Sequence, residues 1–409
     1  MENTCGEKAG EIMSVAVGFI GQRLAQGRRA RAMTSSDLAD VTNISVQSIS
    51  KYENGHQVPR HEIVDRFCMH LNMPKQYFFR EITDIDSKPV FWRSKLSAQT
   101  AALDRAEVRL DWLKEMIDYL GLYFDFPQLN LPELDLPKNP SDYTSDTLEG
   151  AANKVRSHWG VGQGPLPNAL ENIEESGILV SRIHMRAEKV DAYSQWSDKF
   201  GIPFIVLSRD KASAVRQRFD ALHELAHILT HQSVTETQLN NRQTYKILEK
   251  QADQFASYIL LPEQDFLDEL YAPTLDGMLS LKERWGVSVA AMIMRCRNLN
   301  LLDDFSAKRM WMNYARRGWR KGEPFDGKTE KEQPFLIRRS FELLIGENVK
   351  SVSEIVSDLP FPAEDLEELA DLEAGSLGAP IRVRAEPVLK AGVAKNENNV
   401  VSIFNKKMR

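Results

Sequence analysis

Along most of this chain apolar residues recur at helical spacing, and only a few short runs between residues 178 and 207 read as strands. Between residues 18 and 80, Ile20, Leu24, Leu38, Ala39, Ile49, Tyr52, Val64, Phe67, Leu71 and Phe78 supply a small helical core. Thr34 or Ser35 is placed to cap one short helix and Ser45 the next, with Thr42-Asn43 as the turn and Gly55 as the stop. Residues 97–124 predict one long helix with Leu103, Leu110, Leu113, Ile117 and Leu120 inward, and the proline-rich run from Phe126 to Pro140 reads as an extended linker. Helices at 148–159 and 168–176, with turn-forming glycines between them, precede strands at Ile178–Ile183, Asp191–Ser194 and Phe204–Leu207. A helix through Arg218–His231 and another through Glu249–Leu261, ended by Pro262, follow. Helical patterns continue at 281–302 and in the basic, aromatic stretch Arg309–Lys321, which carries Trp311, Tyr314 and Trp319. A unit at 335–373 ends in Glu354–Glu373, which has eight acidic and no basic residues and is expected to face water or to serve as a docking surface. The tail from Ala374 is expected to be partly disordered, with Val400–Phe404 able to dock as a strand.

The first of the two paired helices carries H-E-x-x-H. His223 and His227 are one turn apart and project from one face, so two imidazoles can grip one Zn²⁺. Glu224 stands beside them, placed to take a proton from a metal-bound water. A catalytic zinc needs a third protein ligand, and Glu249 and Asp253 offer one. They are i,i+4 on one helix face, so one can bind metal while the other holds a ligand imidazole by its second N–H.

These residues resemble the ImmA/IrrE family of zinc metallopeptidases. The matching runs are R-F-x-x-x-H-E-L-x-H from Arg218 to His227, E-x-x-A-D-x-F-A from Glu249 to Ala256, and L-L-P at 260–262. Val190–Ser194 and Pro203–Leu207 extend the likeness upstream. The resemblance implies that His223, His227 and Glu249 are the zinc ligands and Glu224 the catalytic base. The family often has a second Glu where this chain has Gln251, which points to Glu249, with Asp253 as the fallback. Isolated His158 and His184 are read as structural.

The N-terminal pattern of two short capped helices about a tight turn fits a helix-turn-helix, whose second helix enters the major groove. It resembles the lambda-repressor-like (XRE) family in S-x-x-S-I-S-x-x-E-N-G and the later Pro59. The family's base-reading positions fall on Val46, Gln47, Ser48 and Lys51, with Ser45 as the cap. Gln47 suits adenine, and Lys51 suits guanine or phosphate. Where the family often places a phosphate-holding Gln, this chain has Ser35 or Ser36. From Gly18 to Arg80, nine Lys and Arg face five Asp and Glu, a balance that favours duplex DNA. The bridging Pro89–Ser94 and proline-rich segments are also similar to those of families that join these two domains.

The expected fold is mainly α: an all-α helix-turn-helix domain at 10–80, a helical and proline-rich linker at 81–145, an α+β zincin-like domain at 146–300 (a small sheet plus the H-E-x-x-H helix), a helical C-terminal domain at 301–375 and a tail at 376–409. A chain of 409 residues is long enough for several cores. Three widely spaced cysteines (Cys5, Cys68, Cys296) argue against a disulfide framework and for a reducing cytoplasm. No run is apolar enough for a membrane span, and the N-terminus lacks a secretory leader. The expected partners are operator DNA and a protein substrate, with a homodimer as an option, and the expected cofactor is Zn²⁺. ImmA/IrrE relatives cleave XRE-type repressors, which implies a DNA-binding regulator fused to an endopeptidase that cuts a repressor or antitoxin-type protein in phage, mobile-element or stress control. The alternative is a transcriptional regulator or antitoxin whose peptidase-like domain senses or dimerises without proteolysis.

Overall fold

The computed structural model describes residues 15–82, 88–93, 99–187, 190–210, 213–328 and 330–378. Cys5, Ser94, the first residues of the helix predicted at 97, and the Val400–Phe404 segment with nearly all of the tail lie outside them.

Four helices form the N-terminal unit: α1 (Gly21–Ala30), α2 (Ser35–Thr42), α3 (Val46–Glu53) and α4 (His61–Leu71), followed by a 3₁₀ turn at Lys75–Phe79. Thr34 rather than Ser35 caps α2, in a reciprocal box: its hydroxyl accepts from the Asp37 N–H at 3.1 Å, and the Asp37 carboxylate accepts from the Thr34 N–H at 2.7 Å. Asn43 takes the left-handed turn, and the Ser45 hydroxyl caps α3 by accepting from the Ser48 N–H at 3.2 Å. Gly21 is required where α1 meets the end of α3, because a Cβ there would lie 2.0 Å from the Tyr52 carbonyl oxygen. Leu24, Leu38, Ile49, Val64 and Phe67 are wholly buried between these helices.

Next come β1 (Phe91–Trp92), α5 (Thr100–Leu120), α6 (Ser145–His158), α7 (Ala169–Glu175), β2 (Leu179–Ile183), β3 (Ala192–Trp196), β4 (Pro203–Ser208) and α8 (Ala214–Thr230). The strands form one sheet in the order β1-β3-β4-β2, with β2 and β4 parallel and the other two pairings antiparallel. Alternation along the strands sends residues to two different cores. Val180, Ala192, Ile205 and Leu207 face α8, whereas Leu179, Tyr193, Phe204 and Val206 face a second core that includes Trp112 and Met116 of α5.

The stretch 81–145 is therefore more than a linker. Its β1 completes the sheet, and α5 lies between sheet and N-terminal unit. The buried Arg23 of α1 donates to Glu115 of α5 at 2.7 Å, while the Tyr193 hydroxyl donates to the Ala106 carbonyl at 2.9 Å. Helix α5 ends at Leu120, four residues short of the predicted end.

The remaining helices are α9 (Glu236–Asn240), α10 (Arg242–Leu260), α11 (Glu263–Glu269), α12 (Leu275–Trp285), α13 (Val289–Asn298), α14 (Asp304–Arg316), α15 (Leu336–Gly346), α16 (Val352–Asp358) and α17 (Ala363–Leu369). They do not divide at residue 301 as the sequence pattern predicts. Tyr314 and, in part, Trp311 of α14 turn inward beside α12 and α13, with the Tyr314 hydroxyl donating to Glu323 at 2.9 Å, while Phe305 stays exposed. Helices α15–α17 instead cover the opposite face of the sheet. The acidic stretch divides between the two expected roles: Glu354, Asp358, Glu364 and Glu373 are exposed, and its buried acids dock. Asp365 pairs with Arg31 at 2.8 Å and with Arg109 at 2.6 Å, and Asp371 pairs with Arg182 at 2.8 Å. It docks on the chain's own N-terminal unit and sheet. No helix among the described residues is long and apolar enough to cross a membrane.

Candidate metal centre

Helix α8 runs for seventeen residues without Gly or Pro, and it buries Ala221, Leu222, Leu225, Ala226 and Ile228. Helix α10 packs along it and begins seven residues before the predicted start, because the Asn241 side chain accepts from the N–H groups of Gln243 and Thr244. This pairing brings the three sequence-predicted donors together. His223 Nε2 and His227 Nε2 lie 3.1 Å apart, and Glu249 places one oxygen 3.6 Å from the first and the other 3.3 Å from the second. An ion held about 2.0–2.1 Å from each donor at tetrahedral angles sets donors roughly 3.3 Å apart. The three donors thus fit zinc in kind and in spacing, and among the described residues they form a cluster of three donors within 4.8 Å.

Asp253, one turn on from Glu249, meets the opposite side of the same imidazole: its carboxylate lies 2.9 Å from His223 Nδ1. A carboxylate can only accept there, so Nδ1 carries the proton and Nε2 is left toward Glu249. A second relay stands behind His227. Its Nδ1 is 2.8 Å from Nδ1 of His231, His231 Nε2 is 3.1 Å from Gln251 Oε1, and the Gln251 amide donates to the Pro140 carbonyl at 2.6 Å. If His227 presents Nε2 to a metal, each donor in this relay finds an acceptor with His231 neutral. Burial, reinforced by His227, holds His231 well below the ordinary histidine range. Gln251 thus has a place in the site, but as the end of a hydrogen-bond chain.

Glu224 is fully buried. Ser194 of β3 donates to its Oε2 at 2.6 Å, while its Oε1 is buried with no hydrogen-bond partner among the described residues. Burial, partly offset by His223 and Ser194, pushes this carboxyl up to about 8. Burial acts the same way on Glu249, but hydrogen bonds with both imidazoles outweigh it and hold that carboxyl well below the usual range. The Phe91 ring of β1 stacks on His227 with centroids 4.8 Å apart. Arg93 pairs with the buried Asp220 and lies 3.7 Å from Asp253. His158 and His184 are remote from this cluster and bond to the Asn130 carbonyl and to Asp210.

In the N-terminal unit, Val46, Gln47 and Lys51 are exposed on α3, and Ser45 is exposed at its cap. Ser48 is half-buried, with its hydroxyl 2.9 Å from that of Ser45, and Ser35 is half-buried in the first turn of α2. The local positive balance is less available than the sequence count suggests. Arg23 is bound to Glu115, Arg28 to Glu53, Arg29 to Glu107, Arg31 to Asp365 and Lys75 to Asp65.

Sequence reasoning missed Ser194, Phe91, Arg93, Asp220 and the relay role of His231 and Gln251. The H-E-x-x-H-x-x-x-H spacing could have indicated His231. Asp220 lies one turn before His223 on α8, and nothing local marks the rest, which reach the site through sheet pairing or across the packed helices.

Residues 173–297 match the IrrE N-terminal-like domain, a peptidase family, and residues 20–76 match a helix-turn-helix domain. No curated protein matches the chain significantly. The chain thus carries a domain of the IrrE N-terminal-like peptidase family behind a helix-turn-helix domain.

Proposed function

We propose that this chain is a cytoplasmic DNA-binding regulator whose second domain is a zinc-dependent endopeptidase acting on a repressor or antitoxin-type protein. The observation that carries the reading is the convergence of His223, His227 and Glu249 within ligand distance beside a buried Glu224. In this reading the two histidines and Glu249 hold the ion, and Asp253 and His231 orient the imidazoles. A zinc ion so held supplies Lewis acidity, which polarises a peptide carbonyl and acidifies water. Glu224 accepts the proton of the attacking water and passes it to the leaving amine. A carboxyl pushed up to about 8 by burial is suited to both transfers near neutral pH. Ser194 holds one oxygen of Glu224 and so leaves the other for the water.

The substrate class rests on the resemblance to repressor-cleaving relatives, with the helix-turn-helix domain as the means of reaching DNA-bound proteins. Zinc-loaded protein incubated with the small repressors or toxin partners encoded beside it should cleave one of them. Glu224→Gln should retain zinc and lose cleavage by at least about 10²-fold. Undiminished proteolysis by that variant would remove Glu224 from the mechanism. The alternative is a regulator whose peptidase-like domain senses or dimerises without turnover, and intact partners under the same incubation would favour it.

A further inference from the structure

An extended peptide reaches a buried metal centre most simply by pairing with a strand edge beside it. Here the strand that touches Glu224, through Ser194, is β3. One edge of β3 is taken by β4. The other is taken by the chain's own residues 88–93. Phe91 pairs with Ser194 and Trp92 with Tyr193 in antiparallel register, and the Arg93 N–H donates to the Ala192 carbonyl at 3.1 Å. The Gln195 side chain donates to the Lys88 carbonyl and the Tyr245 hydroxyl to the Trp92 carbonyl, both at 2.6 Å.

The side chains fill sites as a bound peptide's would. Because Phe91 pairs with Ser194, it lies on the α8 side, where it stacks on His227 and closes a small apolar cluster of Val234, Leu239, Tyr245 and Leu248. Trp92 faces the other way and lies 4.8 Å from the Tyr193 ring. Arg93 reaches two carboxylates, Asp220 and Asp253, and its guanidinium lies 5.2 Å from the centre of the Phe219 ring.

We propose, resting on the peptidase reading of the site, that this edge of β3 is the peptide-binding cleft, that residues 88–93 occupy it in cis, and that the partner displacing them is an extended segment with a bulky apolar residue over His227 and a basic residue two positions later. A pairing of two residues is marginal without its side chains, so Phe91 and Arg93 hold the segment in place. A tethered occupant acts at an effective concentration on the order of millimolar. It excludes casual peptides while yielding to a substrate presented in the same way, for instance by a partner held on the same DNA.

The test is binding of a fluorescein-labelled hexapeptide, Lys-Pro-Val-Phe-Trp-Arg, copied from residues 88–93, to zinc-loaded full-length chains by fluorescence anisotropy. Phe91→Ala should bind it at least about tenfold more tightly than the unmodified chain, and an Ala in place of the peptide's Phe should abolish the gain. Arg93→Gln provides a second route should Phe91→Ala fail to fold, with helical circular dichroism and zinc content as the controls. Folded variants with unchanged zinc that bind no more peptide than the unmodified chain would overturn the proposal and make residues 88–93 a permanent strand. The readout needs no turnover. Gained binding without cleavage of any protein would contradict the peptidase reading and support this one.

Discussion

His223 is held from both sides: Asp253 takes Nδ1, and Nε2 looks toward Glu249 and His227. That difference in position separates two acids which helical spacing alone left equivalent. Glu249→Ala should therefore purify with little zinc, while Asp253→Ala should keep a site weakened by about 10–100-fold. Metal analysis and competition titration of both variants check this, and the opposite ranking would reverse the assignment. The same imidazole sets a pH dependence. Burial and the Arg93 cation oppose its proton, but hydrogen bonds to Asp253 and Glu249 outweigh them and push His223 up to about 9. Below that pH an incoming ion must displace the proton, so zinc affinity should rise with pH by up to about tenfold per unit and level off near 9. Titrations at about pH 6.5 and 8.5 read the change, and equal affinities would contradict it. The H-E-x-x-H core was legible because both histidines sit on one helix. Ser194 was not, because a serine in a strand carries no local sign that it faces a carboxylate thirty residues on.

At the scale of elements, the capped α2–turn–α3 unit lies close to where the caps predicted it, since Thr34, Asn43 and Ser45 act through their immediate neighbours. Of the residues expected to contact DNA, Val46, Gln47 and Lys51 are exposed on α3. Gln47→Ala should cost about 1–3 kcal/mol of operator binding and relax base preference at one position. Lys51→Ala should weaken binding evenly across sequences and lower the salt slope by about 1. Operator selection followed by titration at several salt concentrations distinguishes the two, and unchanged binding in both would remove α3 from the groove. Strand β1 was illegible as a strand. Phe91-Trp92 is too short to alternate, and only pairing with β3, about a hundred residues later, makes it one. The start of α10 was misplaced for a simpler reason: the Asn241 cap lies well before the acids that drew attention to the helix.

Across the whole molecule, α5 and the C-terminal helices join what the sequence divides. Arg23–Glu115 and Arg31–Asp365 bridge the N-terminal unit to α5 and to α17, so the DNA-binding helices and the sheet share one continuous core. Asp365 and its partner Arg31 are more than three hundred residues apart, which is why the acidic run, without local cations, left open whether it faces water or docks. The count of basic residues overstates the free positive charge for the same reason, since Arg23, Arg29 and Arg31 bind acids elsewhere in the fold. What all of this positions is one buried centre between α8 and α10. Its most direct test is the zinc content and affinity of the intact chain beside His223→Ala and His227→Ala, all shown to be folded. The account predicts about one tightly held equivalent per chain and its loss in each variant. An intact chain that binds no zinc, or variants that bind it as the intact chain does, would contradict the account.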